Sequence, residues 1–145
     1  MNLVPFKTRK TEAHLQLLGT LFLIMGRIRT CGLLSIEEDI EDPGNSPLFN
    51  SVAAYDKAND AVSAVLCDTL RLMIYGNLDV DGINHYLTAY RKTAGLSDIQ
   101  ESLFETMRLT LTATLENHTP QIAAEFGRQG ISHNLSPALL NGKIF

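Results

Sequence analysis

The sequence predicts an all-α domain, a compact multi-helix bundle of about six helices with short loops. Three observations predict it. Apolar residues recur at three- and four-residue intervals through most of the chain, the period of a helix with one buried stripe. No stretch alternates apolar and polar residues at period two, and no repeat or low-complexity tract is present. Gly, Pro and small capping residues fall where the periodic segments stop and restart. The 145 residues suit one domain spanning 1–145. A chain of that size buries roughly 68–70% of the surface its unfolded form exposes, enough for a core without metal or disulfide staples.

The first helix is expected from Thr11 to about Thr30, with Leu18, Leu21, Phe22, Met25 and Ile28 on its inner stripe and Gly32 after its end. Leu17, Leu23 and Ile24 widen that stripe beyond what one neighbour covers, so the helix is either central in the bundle or shared with another chain; in the second case these residues are candidates for self-association or for docking on another helical protein. Ser35 to Asp42 reads as a short acidic helix, with Ser35 as cap and Glu37, Glu38 and Asp39 near its positive end. Pro43-Gly-Asn-Ser-Pro47 is a loop, and 44–55 reads as loop or one extra turn.

A third helix is expected from Lys57 to Tyr75, capped by Asp56, with Val62, Val65, Leu66, Leu70 and Met73 inward and Gly76 ending it. Asp79 caps a fourth, with Ile83, Tyr86, Leu87 and Tyr90 inward, ending near Gly95. The fifth starts after Ser97 and carries Ile99, Leu103, Phe104, Met107 and Leu111 through about Asn117. Thr119-Pro120 is a cap followed by a first-turn proline, opening a sixth helix through Arg128. Ser136-Pro137 repeats that signal for a last short turn.

Composition narrows the function. The formal charge of −4 repels phosphate backbones, so no nucleic-acid partner is expected. The apolar block Leu17 to Met25 is half the length that spans a bilayer, so no transmembrane helix is expected, and no secretory leader is expected either. Cys31 and Cys67 lack paired spacing and read as buried, reduced thiols of a cytoplasmic protein.

The chemical motifs fall short of sites. Asn77-Leu-Asp79-Val-Asp81-Gly82 imitates the opening of a calcium loop, but Thr88 stands where the bidentate Glu belongs, so these residues read as turn and capping chemistry. His14, His85, His118 and His133 are scattered, without a second ligand three or four residues away; His118 is expected to interact with the end of the helix before it. No nucleophile elbow, phosphate loop or acid–base companion for residues 37–42 is present. We therefore expect no enzyme, no cofactor and no metal. Glu38 and Asp39 read as a solvated face. Arg29, ending one apolar helix, and Glu37, opening the acidic one, place opposite charges beside a glycine break on an exposed shoulder, free for a partner or paired with each other.

Three stretches carry a resemblance to a known family. Arg29-Thr-Cys-Gly32-Leu-Leu-Ser-Ile36-Glu37-Glu-Asp-Ile40-Glu41-Asp42-Pro43 is one, Asp68-Thr-Leu-Arg71-Leu-Met-Ile74-Tyr-Gly76 the second, and Pro120-Gln-Ile122-Ala123-Ala-Glu125-Phe126-Gly127-Arg128 the third. In shared order they resemble the cytoplasmic part of the MotA-type stator subunit of the bacterial flagellar motor. The likeness covers about residues 6–92 and 107–131. Members of that family carry four membrane helices, and here residues 93–106 form a short connector in place of the third and fourth.

The resemblance implies a cytoplasmic motility protein contacting a FliG-like rotor protein or a stator-like subunit. By it, Arg29 and Glu37 fall on the charged positions that engage the rotor, with Glu38 and Glu41 beside them. Conduction by this chain alone is not expected, since an ion needs a protein-lined path across about 30 Å of hydrocarbon. Lys7, Arg9 and Lys10 are similar to a juxtamembrane cluster. Three charges give weak adsorption to acidic lipid, and a disordered, solvated arm is the expectation for them. The alternative is a helical scaffold or regulatory subunit of another bacterial envelope machine.

Overall fold

The computed structural model describes residues 6–50 and 58–130, with side-chain environments for 12–49 and 62–130. Over these residues the chain forms seven α-helices and no strand. They are α1 (Phe6–Cys31), α2 (Glu37–Glu41), α3 (Pro47–Asn50), α4 (Ala58–Tyr75), α5 (Val80–Ala94), α6 (Asp98–Leu115) and α7 (Pro120–Arg128). Short 3-10 turns at Leu33–Ile36 and Pro43–Asn45 link the first three.

Local chemistry sets the boundaries. Asp79 accepts from the Gly82 amide at 2.8 Å, starting α5, and Gly95 closes it in the left-handed region at φ 61. Ser97 and Gln100 form a reciprocal capping box at the head of α6. Thr119 accepts from the Ile122 amide, with Pro120 in the first turn of α7. The acidic segment departs from expectation: Ser35 does not cap α2 but donates its hydroxyl to the Gly32 carbonyl at 2.6 Å, and α2 begins one residue later, at Glu37. Pro47–Asn50 is the extra turn, capped by Ser46, whose Oγ accepts from the Leu48 and Phe49 amides at 3.1 and 3.3 Å. The expected cap Asp56 and the expected turn at Ser136-Pro137 lie outside the described residues. Helix α1 begins at Phe6, so the backbone of Lys7, Arg9 and Lys10 is helical where a disordered arm was expected.

α6 is the axis of the bundle, packed by α1, α4, α5 and α7. Leu103, Phe104, Met107 and Leu111 are fully buried, each worth about 1.5–3 kcal/mol over an exposed position. Tyr90 of α5 stacks on Phe104, ring centroids 5.3 Å apart. On the other side α7 approaches closely through small residues. A Cβ on Gly127 would meet the Thr110 hydroxyl, Leu18 Cδ2 at 3.1 Å and the Thr106 carbonyl at 3.2 Å. The first helix is covered from within the chain, by α6 and α7 along most of its length and by α3 and α4 besides. Leu17 and Ile24 are therefore core residues, 0% and 1% exposed, and not a docking face; Leu23, at 38%, stays on the surface. The stripe was wide because α1 has neighbours on several sides.

A part-buried polar link joins two helices and the turn after a third. His14 of α1 is fully buried, and its Nε2 lies 2.9 Å from Ser102 Oγ of α6, which donates in turn to the Gly130 carbonyl beyond α7. With the serine hydrogen spent on that carbonyl, the imidazole donates from Nε2.

Candidate functional site

Two charged edges flank the break at Gly32. Its φ of 88 lies in the region that favours glycine, and its amide donates to the Ile28 carbonyl at 2.8 Å, so the helix stops and the chain turns into the acidic segment. Arg29 is left exposed on the last turn of α1; Glu38 and Glu41 are exposed on α2, and Glu37 is half-buried.

Each edge is braced by distant residues. Arg29 Nη1 donates to the His118 carbonyl at 3.5 Å, where α6 gives way to α7. The His118 ring lies against Phe126, centroids 5.2 Å apart, and the His118 amide donates to the Ala113 carbonyl at 3.1 Å, closing the end of α6. Met25, Ile28, Arg29, Thr114, Asn117 and His118 line a cleft of about 250 Å³ there. On the acidic edge, Arg71 of α4 donates to Glu41 and to Asp68, each at 2.9 Å, and to the Ile40 carbonyl at 3.4 Å. The hydrogen bond to Glu41 is the main reason Arg71 is more basic than usual. Tyr75 lies near Glu37, and that carboxylate pushes the phenol pKa up.

No ion pair joins Arg29 to Glu37 among the described residues. Asp39 departs from the solvated-face expectation: it is 9% exposed and accepts from Ser46 Oγ at 2.7 Å, pinning α2 to α3. Glu38 remains outward and lines, with Asp39, Glu41, Asp42, Asn45 and Ser46, a cleft of about 360 Å³. Cys67 is buried, and its thiol is pushed up to about 11 by burial, whereas Cys31 is exposed at the end of α1, against the expectation that both are buried. Sequence reading missed Tyr75, His118 and Leu34 as neighbours of the shoulder. For Tyr75 and His118 the contact spans too many residues for spacing to reveal it, and Leu34 carries no periodic signal that separates it from its neighbours.

The arrangement is a helical bundle with a braced, charged shoulder between α1 and α2. Such a surface offers reversible contact with opposite charges. Among the described residues, no three His, Cys, Asp or Glu side chains gather as metal ligands. No described helix is long and apolar enough to cross a membrane.

Two curated proteins share sequence with part of this chain. Motility protein A of Salmonella typhimurium LT2 is 32% identical over 85 residues, 54% of this chain and 28% of that protein. Motility protein A of Escherichia coli K12 is 33% identical over 76 residues, 50% of this chain and 25% of that protein. The chain thus spans about a quarter of the length of these curated relatives. No family model and no solved structure matches it.

Proposed function

We propose that this chain is a non-enzymatic docking domain of stator type, contacting a protein partner through the shoulder from Arg29 to Asp42. Its partner is a FliG-like rotor protein or a stator-like subunit, on the cytoplasmic side. The observation that carries the proposal is the placement of Arg29 on one side of the Gly32 break and Glu37, Glu38 and Glu41 on the other. All are reachable from solvent; Arg29 is held by the His118 carbonyl and Glu41 by Arg71. The similarity of about half the chain to Motility protein A supports the same reading. Rim charges set encounter rate and register more than affinity, which suits a contact made and released repeatedly. With no described helix able to span a bilayer, the proposed role is contact and not conduction.

Charge reversal tests the proposal. Arg29→Glu or Glu37→Lys should impair binding to a purified rotor protein, and an opposite reversal on the partner should restore it. Binding unchanged in both variants refutes the proposal and favours a scaffold role elsewhere in the envelope. Charging Leu17 or Ile24 cannot separate the two readings, because both side chains are core and their loss would unfold either protein.

A further inference from the structure

The cleft between the end of α1 and the α6–α7 junction differs in character from the acidic one. To it α1 contributes Met25, 2% exposed, and the half-buried Ile28, while the end of α6 and the turn after it contribute Thr114, Asn117 and His118. Arg29 is the one charged side chain that lines it. Arg71, Arg91, Arg108 and Arg128 each pair with a carboxylate, whereas among the described residues Arg29 pairs with none and donates only to the His118 carbonyl at 3.5 Å. The cleft continues onto α7 through one ring contact. The His118 and Phe126 ring centroids lie 5.2 Å apart, and Ile122, one turn before Phe126, shares its face of the helix. Both apolar side chains are 45% exposed. Single exposed apolar residues are ordinary on a protein surface; a pair one turn apart, joined by an imidazole to a cleft with apolar walls, makes one continuous surface.

Size and charge choose the occupant. A volume of about 250 Å³ lies below the roughly 300–1,000 Å³ of small-molecule sites and suits one inserted side chain, around which the unbranched Met25 can repack. An unpaired guanidinium at the rim favours a carboxylate beside that side chain. One arginine is too little for an anionic bilayer, which repels a chain at −4 and rewards each basic residue by only about 1 kcal/mol. A second copy could offer its acidic α2 edge, but only by bringing two chains of −4 together in a head-to-tail contact that does not close as a dimer. No strand among the described residues invites an extended peptide, whereas a helix presents apolar side chains one turn apart, the spacing of Ile122 and Phe126. We propose that this cleft and the outer face of α7 seat an acidic amphipathic helix of a partner protein. One apolar side chain enters the cleft over Met25, the next rests on Phe126 and Ile122, and a flanking carboxylate meets Arg29. This deepens the docking reading above and rests on it for the side of the bundle that the partner approaches, adding an apolar anchor to a shoulder otherwise built of charge.

The test uses the full chain and a labelled amphipathic peptide of about 18 residues, with Leu and Phe along one face and Ala and Glu elsewhere, read by fluorescence anisotropy. A control peptide carries Gln for Glu. The Glu peptide should bind saturably and more weakly as salt rises, and the Gln peptide about tenfold less tightly. Thr114→Phe, which fills the cleft from within, should weaken binding about tenfold or more. Because filling the cleft can also disturb the fold, Ile122→Ser/Phe126→Ser, at half-exposed positions on α7, should give a comparable loss independently. Arg29→Gln should bring the two peptides to equal affinity. Tyr75→Ser, exposed on α4, should change nothing.

Equal affinity of the parent chain for the two peptides, affinity unchanged by Ile122→Ser/Phe126→Ser, or no saturable binding overturns the inference. So does concentration-dependent self-association that Ile122→Ser/Phe126→Ser abolishes, which would make a second copy the occupant, or displacement of the peptide by phosphatidylglycerol vesicles, which would make it a lipid surface. Glu37→Lys separates this inference from the shoulder proposal, because it should impair rotor-protein binding and leave the peptide's dependence on Ile122 and Phe126 intact. Rotor binding lost with Glu37→Lys beside peptide binding indifferent to Ile122 and Phe126 sinks the cleft alone. Peptide binding that needs those two residues, beside rotor binding unchanged by Arg29→Glu and Glu37→Lys, sinks the shoulder alone.

Discussion

Arg71 on α4 and Glu41 on α2 lie 2.9 Å apart across 30 residues of sequence, and that pair holds the five-residue helix α2 against the bundle. A helix so short has no stability of its own in water. Both side chains are substantially exposed, 37% and 53%, so the pair contributes little to global stability. Arg71→Met should lower the unfolding free energy by about 1 kcal/mol or less in urea denaturation. It should also speed hydrogen exchange selectively at residues 37–41. Unchanged protection there would show that Asp39 and Ser46 alone hold the segment.

Gly127 packs α7 closely against α6 and α1, with Thr106 backbone at 3.2 Å from the Cβ it lacks. Gly127→Ala should destabilise by about 1–3 kcal/mol through overpacking against backbone that cannot yield. Gly26, within α1, has nothing within 4 Å of that position, so Gly26→Ala should stabilise by about 0.5–1 kcal/mol. Thermal midpoints of the two variants moving the same way would contradict this packing.

Acid should weaken the bundle through Glu105. Its hydrogen bond with Arg108 holds the carboxyl below its usual value of 4.5, partial burial opposes that, and the charges of Arg108 and Arg91 add to it. Because the folded pKa is the lower one, the contribution is present above the unfolded value and disappears as pH falls through the folded value. Glu105→Gln should cost roughly 1–2 kcal/mol at neutral pH and flatten the stability profile below about pH 5. A profile as steep as that of the parent protein would remove Glu105 as the cause.

The two thiols should react at very different rates. Cys31 is exposed, whereas Cys67 is buried with its pKa pushed up to about 11, leaving a thiolate fraction on the order of 10⁻³ at pH 8. Ellman's reagent should label one thiol rapidly in the native protein and the second only on unfolding, and Cys31→Ser should abolish the fast phase. Two fast phases would place Cys67 at the surface.

What the sequence by itself determined is local. The caps at Asp79, Ser97 and Thr119 were legible because a side chain and the amide it satisfies lie within three residues of each other, and helical periodicity marked Leu103, Phe104, Met107 and Leu111 as core in the same way. Ser35 was misread because its hydroxyl had two partners in reach, and the turn at Gly32 offered it a carbonyl. Only the tertiary structure decided what each face meets. Periodicity says that Leu17 and Ile24 are apolar, but not whether another chain or α6, α7 and α4 covers them. Nor can it foresee His14 reaching Ser102 across 88 positions, or Tyr75 coming near Glu37. Such contacts depend on how whole helices pack, a balance of burial summed over every neighbour, and no short window of sequence contains that sum.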